Sequence, residues 1–422
     1  MSDAGGGGTT VVHGAAELVV GPRDGTPGDG RPLDVVEDGA FAAVDGEVVA
    51  VGPTAAVTRE YPPENADAAV DASGRAVVPG FVDPHTHAVF AGDRSDEFAA
   101  KLRGKSYREI LAEGGGILRT VRATRAASDD ALVENLRGRL DAMLARGTTT
   151  VEVKSGYGLE TETELRLLDA IDRANDEHPV DVVATFLGAH AVPEGRDPDD
   201  YVDEVVEEQL PAVADRGVAE FCDAFCEEGA FDVAQSRRVL EAGRERGLAP
   251  KVHAEELSHL GGTKLAAEVG ATSADHLLYA TDEDVAALVE AGTVPVLLPG
   301  TAFGLGADYA DARAFLDAGA SPALATDFNP NCHSLDMGFV QTLACVEMGL
   351  TPAESLRSAT RNAALALGRD DGTGTLRPGA PADALVLDAP SYAHVAYRFD
   401  TSAVETVLKG GRPVVEGGEV LA

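Results

Sequence analysis

A chain of 422 residues in which 71 Asp and Glu face 34 Lys and Arg carries a formal net charge of −37. Such a charge excludes nucleic acid and anionic membrane surfaces as partners, since both repel a polyanion. An apolar fraction of 44% is that of a folded chain, and at this length the core has room for more than one domain. Residues 1–8 are glycine-rich and predict disorder. From Thr9 to Arg75, short valine-rich runs (Val11–Val12, Leu18–Val20, Ala40–Val44, Val48–Val51) alternate with turn signals, and Asp45-Gly46 marks a hairpin. The same grammar returns after Gly372 in Ala384–Leu387, Val404–Leu408 and Val414–Val415, with Gly410-Gly411 and Gly417-Gly418 as turns. Residues 1–76 and 373–422 are therefore expected to form one composite β-sandwich domain.

Between these ends, strand and helix alternate. Strand candidates are Val77–Val82, Thr148–Val153, Asp181–Leu187, Val218–Phe225, Lys251–Ala254, Thr272–His276, Val294–Leu298 and Ala323–Thr326. Ser128 is placed to cap a helix in which Leu132, Leu136, Leu140 and Leu144 recur every four residues until Gly147. Glu160–Asn175, Val233–Arg246 and Asp282–Glu290 read as further helices. Eight strands with intervening helices predict a (β/α)8 barrel over residues 77–372, an α/β fold. Gly114-Gly115-Gly116 lacks the strand-to-helix context of a phosphate loop and reads as a flexible loop near the site.

The acidic residues are spread along the chain, and lysine is confined to Lys101, Lys105, Lys154, Lys251, Lys264 and Lys409. That surface resembles those of proteins from salt-loving microbes, where screening over roughly 3 Å at about 1 M salt makes the self-repulsion tolerable. No apolar run reaches the roughly 18 residues of a membrane span, and no leader segment is evident, so a cytoplasmic location is expected. Cys222-x-x-x-Cys226 has the look of a metal or redox pair. It lies in the apolar run Phe221–Phe225, however, which favours buried thiols, as for Cys332 and Cys345.

Chemistry-bearing residues gather where barrel strands end. His85-x-His87 closes the first strand, and alternation in extended backbone turns both imidazoles to one face, where they can share a metal. Alone, this pair is as readily two polar residues ending a strand. Glu152 and Lys154 on strand two, His190 after strand three and Asp223 on strand four join it. His253 and Glu256 follow strand five, His276 ends strand six and Asp327 ends strand eight. Together they point to a metal-dependent hydrolase.

This constellation resembles the amidohydrolase superfamily. Within it, His85-Thr-His-Ala-Val-Phe-Ala-Gly-Asp-Arg94, Thr148-Thr-Thr-Val-Glu-Val-Lys-Ser-Gly-Tyr-Gly158, Phe186-Leu-Gly-Ala-His-Ala-Val-Pro193, Val252-His-Ala-Glu-Glu256, Ala274-Asp-His276 and Thr326-Asp-Phe-Asn-Pro330 are similar to the imidazolonepropionase family of histidine degradation. The resemblance implies one zinc or iron ion on His85, His87, His253 and Asp327. Strand four carries no lysine for a second metal, and Lys154 is assigned a structural pairing with Glu152. The implied reaction is hydrolytic opening of a cyclic amide that bears a propionate tail, 4-imidazolone-5-propanoate, to N-formimidoyl-L-glutamate. Glu256, His276 and Asp327 are the implied catalytic residues, with Glu256 as proton shuttle and His276 at the carbonyl.

Arg94, Tyr157, His190, Glu256 and Asn329 are implied to hold the substrate. A guanidinium fork suits a carboxylate, although a surface ion pair is the plain alternative for Arg94 and packing for Tyr157. Asn331-Cys332 stands where relatives commonly carry a small Gly-Ser or Gly-Thr pair whose backbone meets the tail. A homodimer is compatible with the resemblance. Formimidoylglutamate deiminase, a ring-amidine deaminase and a non-catalytic barrel scaffold are the competing readings.

Overall fold

The computed structural model describes residues 8–23, 32–105, 109–110 and 113–421. The glycine-rich start of the chain lies outside them, apart from Gly8. Both ends of the chain build one mixed sheet. Its strands are β1 (Thr9–Pro22), β2 (Leu33–Val44), β3 (Glu47–Pro53), β4 (Ala68–Asp71) and β5 (Ala76–Pro79). The central region forms β6 (Phe81–Asp83), β7 (Thr148–Lys154), β8 (Asp181–Ala189), β9 (Phe221–Cys226), β10 (Ala249–Ala254), β11 (Ser273–His276), β12 (Val294–Leu297) and β13 (Ala323–Leu324). The terminal sheet is completed by β14 (Ala384–Leu387), β15 (Val404–Lys409), β16 (Arg412–Glu416) and β17 (Glu419–Val420).

The terminal sheet has nine strands in the order β17-β16-β15-β14-β5-β1-β2-β3, with β4 also on β1. By hydrogen bonding it is one continuous sheet, and it curls until its ends share a core. Val48 of β3 and Leu408 of β15 lie in one buried cluster with Val12, Leu18 and Phe41. The 379–382 segment spans the gap, with Val48 N donating to Ala380 O and Gly411 N to Ala382 O. The separate runs expected at Val11–Val12 and Leu18–Val20 are a single strand. The register shifts between Val12 and Ala15, where Gly14 at φ 76° forms a bulge and lets the strand bend.

The run read as Val77–Val82 is two strands. Ala76–Pro79 pairs with β1 and β14, whereas Phe81–Asp83 pairs with β7 as the first barrel strand. Gly80 is the crossover, because a Cβ there would sit 2.2 Å from Thr149 Oγ1. The eight barrel strands are all parallel, in sequential order β6 to β13. The ring closes just beyond the last strand through a Thr86–Phe328 bridge, with Asp327 N donating to His85 O at 3.1 Å. The buried Asp83 carboxylate adds a latch by accepting from Thr326 N and Oγ1.

The opposite mouth of the barrel is plugged by the helix Arg361–Ala366, whose alanines pack on Val82, Val183 and Val296. The helix Asp129–Leu144 starts where expected, with Ser128 Oγ accepting from Ala131 N, and buries its leucine row. Lys409 of β15 pairs with Asp383 and with Asp181 of the barrel, both at 2.6 Å. Among the described residues no helix is long and apolar enough to cross a membrane. All four cysteines are free. Burial raises the Cys222 thiol above its ordinary range and pushes Cys226 up to about 12, so neither is a ready nucleophile or ligand.

Candidate metal centre and active site

Beyond β6 the chain stays extended. Thr86 turns outward to donate to Glu152 O, and His85 and His87 turn inward together. His87 Nε2 lies 3.3 Å from both His85 Nε2 and His253 Nε2, and Asp327 Oδ1 lies 3.5 Å from the His85 and His87 Nε2 atoms. His253 comes from β10, and Asp327 from the turn after β13. Four potential donors from three places in the chain therefore converge on one point.

The outer faces of two rings are already committed. His85 Nδ1 is 2.6 Å from Asp275 Oδ2, and His253 Nδ1 is 2.9 Å from Asp223 Oδ2. A proton on each Nδ1 leaves the Nε2 lone pairs facing one another, an arrangement that a cation between them stabilises. Asp327 Oδ1 is buried with no hydrogen-bond partner among the described residues, whereas its Oδ2 accepts from Thr301 Oγ1. Burial holds His85 and His87 well below the ordinary imidazole value, which keeps them neutral, as ligation requires. Burial lowers His253 as well, but the Asp223 carboxylate outweighs it and keeps His253 above its ordinary value. Two overlapping groups here could hold a metal ion, His85 with His87 and His253, and His85 with His276 and Asp327, and imidazole with carboxylate is a donor chemistry that suits a divalent metal.

Two further groups face this point. His276, at the end of β11, is buried with neither ring nitrogen hydrogen-bonded, and its Nε2 is 3.7 Å from Glu256 Oε2. Burial, reinforced by the Asp327 charge, pushes the Glu256 carboxyl up to about 8; burial also raises Asp327, to about 6. A carboxyl poised near neutrality beside a prospective metal-bound position is suited to moving protons. Backbone strain collects in the same place. Glu255, His276, Leu277 and Asp327 all hold positive φ, at 50°, 81°, 62° and 50°. Non-glycine residues accept this only where surrounding contacts over-determine them. For Glu255 those contacts are explicit: its carboxylate accepts from the N–H groups of Leu260, Gly261, Gly262 and Thr263, which fixes the loop carrying Glu256.

The amidohydrolase family profile matches residues 76–414 of the chain. The imidazolonepropionase of Haloarcula marismortui is 69% identical over 404 residues, covering 96% of this chain and 95% of that protein. That of Halobacterium salinarum is 63% identical over 414 residues, covering 97% and 98%. The chain belongs to the amidohydrolase family. More distant solved structures share the fold. An adenosine deaminase from Xanthomonas campestris with bound zinc superposes with a TM-score of 0.74 at 19% identity, covering 98% of this chain and 94% of that one. The atrazine chlorohydrolase TrzN from Arthrobacter aurescens, complexed with zinc, gives 0.73 at 17% identity, covering 98% and 96%.

Members of the amidohydrolase family are metal-dependent, and the His85, His87 and His253 cluster supplies this chain with a place to bind one. Around it, His190 stacks on His87 with centroids 4.9 Å apart, and its Nδ1 lies 2.9 Å from Gly156 O. Burial brings His190 down to about 3. Tyr157 is buried against His87, Phe90 and His190.

Arg94 is buried rather than at the surface, and its Nε and Nη2 both reach Glu97 Oε2 at 2.9 Å. Glu97 Oε1 in turn accepts from Gly116 N, so the glycine run is tied to the Arg94 corner. Asn329 is spent on its own turn: Nδ2 donates to Asp327 O, and Oδ1 accepts from the N–H groups of Asn331 and Cys332. Those two backbone donors therefore point at Asn329, and the exposed Asn331 side chain accepts from Lys101. Cys332 is buried, with Sγ toward Thr326 O.

Four residues important to the arrangement carry no role in the sequence reading: Asp275, Lys251, Glu255 and Thr301. Asp275 and Lys251 had a legible signal. Ser273 and Asp275 alternate on β11 as Lys251 and His253 do on β10, so polar groups fill every second, inward position of barrel strands. Glu255 and Thr301 lie beyond strand ends, where no period marks them.

Proposed function

We infer that the chain hydrolyses the ring of 4-imidazolone-5-propanoate to N-formimidoyl-L-glutamate in histidine degradation. The observation that carries this is identity of 63–69% over nearly the full length to relatives named imidazolonepropionase. His85, His87, His253 and Asp327 are the residues we assign to the metal, supported by their converging atoms and by the unpartnered Asp327 Oδ1. The donor set suits zinc or iron, either of which supplies an acidified water and an electrophile for the carbonyl.

Glu256 takes the proton from the attacking water and delivers it to the ring nitrogen as the C–N bond breaks. Its raised carboxyl value and its position beside His276 support that role. His276 faces the carbonyl oxygen and donates to it as negative charge develops there, a use consistent with two ring nitrogens that have no hydrogen-bond partner among the described residues. His190 and Tyr157 pack the ring on the His87 side. Arg94 meets the tail carboxylate, held ready by Glu97, with Asn329, Asn331 and Cys332 forming the neighbouring turn. A cytoplasmic setting follows from the same reading, because the substrate is a metabolic intermediate.

The direct test is loss of the substrate's ultraviolet absorbance when freshly generated imidazolone-propanoate meets the purified protein in molar KCl. Turnover is expected, and none at any metal loading overturns the assignment. Arg94→Ala should lower kcat/KM by roughly tenfold or more, as expected for a lost charge-assisted bond. On an imidazolone without the propionate, that variant should match the unmodified protein. An equal loss on both substrates would show that Arg94 acts on the fold instead.

A further inference from the structure

Beneath the metal-facing histidines lies a set of five wholly buried charges: Glu152 and Lys154 on β7, Asp223 on β9, Lys251 on β10 and Asp275 on β11. The Lys154 ammonium sits 2.8 Å from Glu152 Oε2, 2.9 Å from Asp223 Oδ2 and 3.7 Å from Asp275 Oδ2. These are the same Asp223 and Asp275 oxygens that face His253 Nδ1 and His85 Nδ1. Lys251 is engaged lower down, at 3.0 Å from both Glu152 Oε1 and Pro84 O. Lys154 thus lies within 4 Å of both carboxylates behind the metal-facing rings, while the Lys251 charge also acts on Asp275.

We propose that Lys154 is a positioning residue for the metal centre. By pairing Asp223 and Asp275 at once, it fixes the orientation of His253 and His85 in which each Nδ1 faces a carboxylate and each Nε2 faces the metal site. The physical reason is the cost of the alternative. Two buried carboxylates on neighbouring sides of the barrel repel each other, and without a cation between them they swing apart. That movement withdraws the acceptor that aims each imidazole, so the rings lose their common focus as ligands. This goes beyond a structural pairing of Lys154 with Glu152, and it rests on the assignment of His85, His87, His253 and Asp327 to the metal.

Lys154→Met alone leaves three buried carboxylates facing one lysine, so the decisive variant is Lys154→Met with Glu152→Gln, which removes one charge of each sign. Affinity for Zn2+ is measured on the metal-free full chain in molar KCl, by competition with a fluorescent zinc chelator, alongside the metal-free melting temperature. The double variant should bind zinc about ten- to hundredfold more weakly, the usual consequence of losing partners behind metal ligands. Adding Asp223→Asn should then weaken binding little further, since Lys154 acts through that carboxylate. Lys409→Met, which removes the ammonium paired with Asp383 in the terminal sheet, should lower the melting temperature and leave zinc affinity unchanged. Unchanged zinc affinity in the Lys154 variant, whatever its melting temperature, overturns the proposal. If the unmodified chain takes up no zinc at this site, the metal assignment itself fails and the proposal falls with it.

Discussion

His253 and His276 sit within 5.2 Å of each other, centroid to centroid, yet their surroundings separate their roles. His253 is anchored behind by Asp223 and turns its Nε2 to the shared point, whereas His276 has no such anchor. Substituting His253 by Ala should therefore abolish tight metal binding and turnover together. Substituting His276 by Ala should leave bound metal nearly intact, measured by elemental analysis, while activity collapses. Equal metal loss in the two variants would place His276 among the ligands.

Glu256 offers a second test at this scale. Its carboxyl is raised to about 8 by burial, with Asp327 adding to the shift and His253 opposing it. In the metal-free protein the folded state therefore holds this proton more tightly than the unfolded chain does. The stabilisation is complete below the ordinary value of 4.5 and is lost as pH rises through about 8. Glu256→Gln should accordingly raise the metal-free melting temperature near pH 9 and change it little near pH 5. A variant less stable than its parent at the higher pH would mean that Glu256 is comfortably ionised in place.

At the scale of elements, the barrel strands were legible because buried parallel strands read as short runs of Val, Ala and Leu bounded by turn residues. At two places where reading and structure part, a glycine is involved. Gly14 joins two runs into one bent strand, and Gly80 divides one run between two sheets. A one-dimensional pattern does not record that Thr149 lies 2.2 Å from the absent Cβ. Gly80→Ala should cost about 1–3 kcal/mol through overpacking. Gly138, in the helix Asp129–Leu144 with nothing within 4 Å of its missing Cβ, should respond oppositely. Gly138→Ala is expected to stabilise by about 0.4–1 kcal/mol. Urea midpoints of the two variants, moving in opposite directions, check both readings; a shift in the same direction refutes at least one.

For the whole molecule, the net charge of −37 lies mostly outside the five-charge set of the barrel, which pairs two lysines with three carboxylates. The excess resides mainly at the surface, where salt screens it. The melting temperature should climb steadily from dilute buffer to molar KCl, followed by circular dichroism, and a flat profile would refute adaptation to salt. The alternation of strands and helices, and a β-rich unit built from both termini, were legible in the order of residues. So were the candidates His85, His87, His253, Glu256, His276 and Asp327, because period and residue type are local properties. What stands behind them emerged from the folded arrangement alone. Asp223, Asp275 and Lys154 come from three different strands, and it is the closing of the barrel that brings the Lys154 ammonium within 4 Å of both carboxylates in a buried medium.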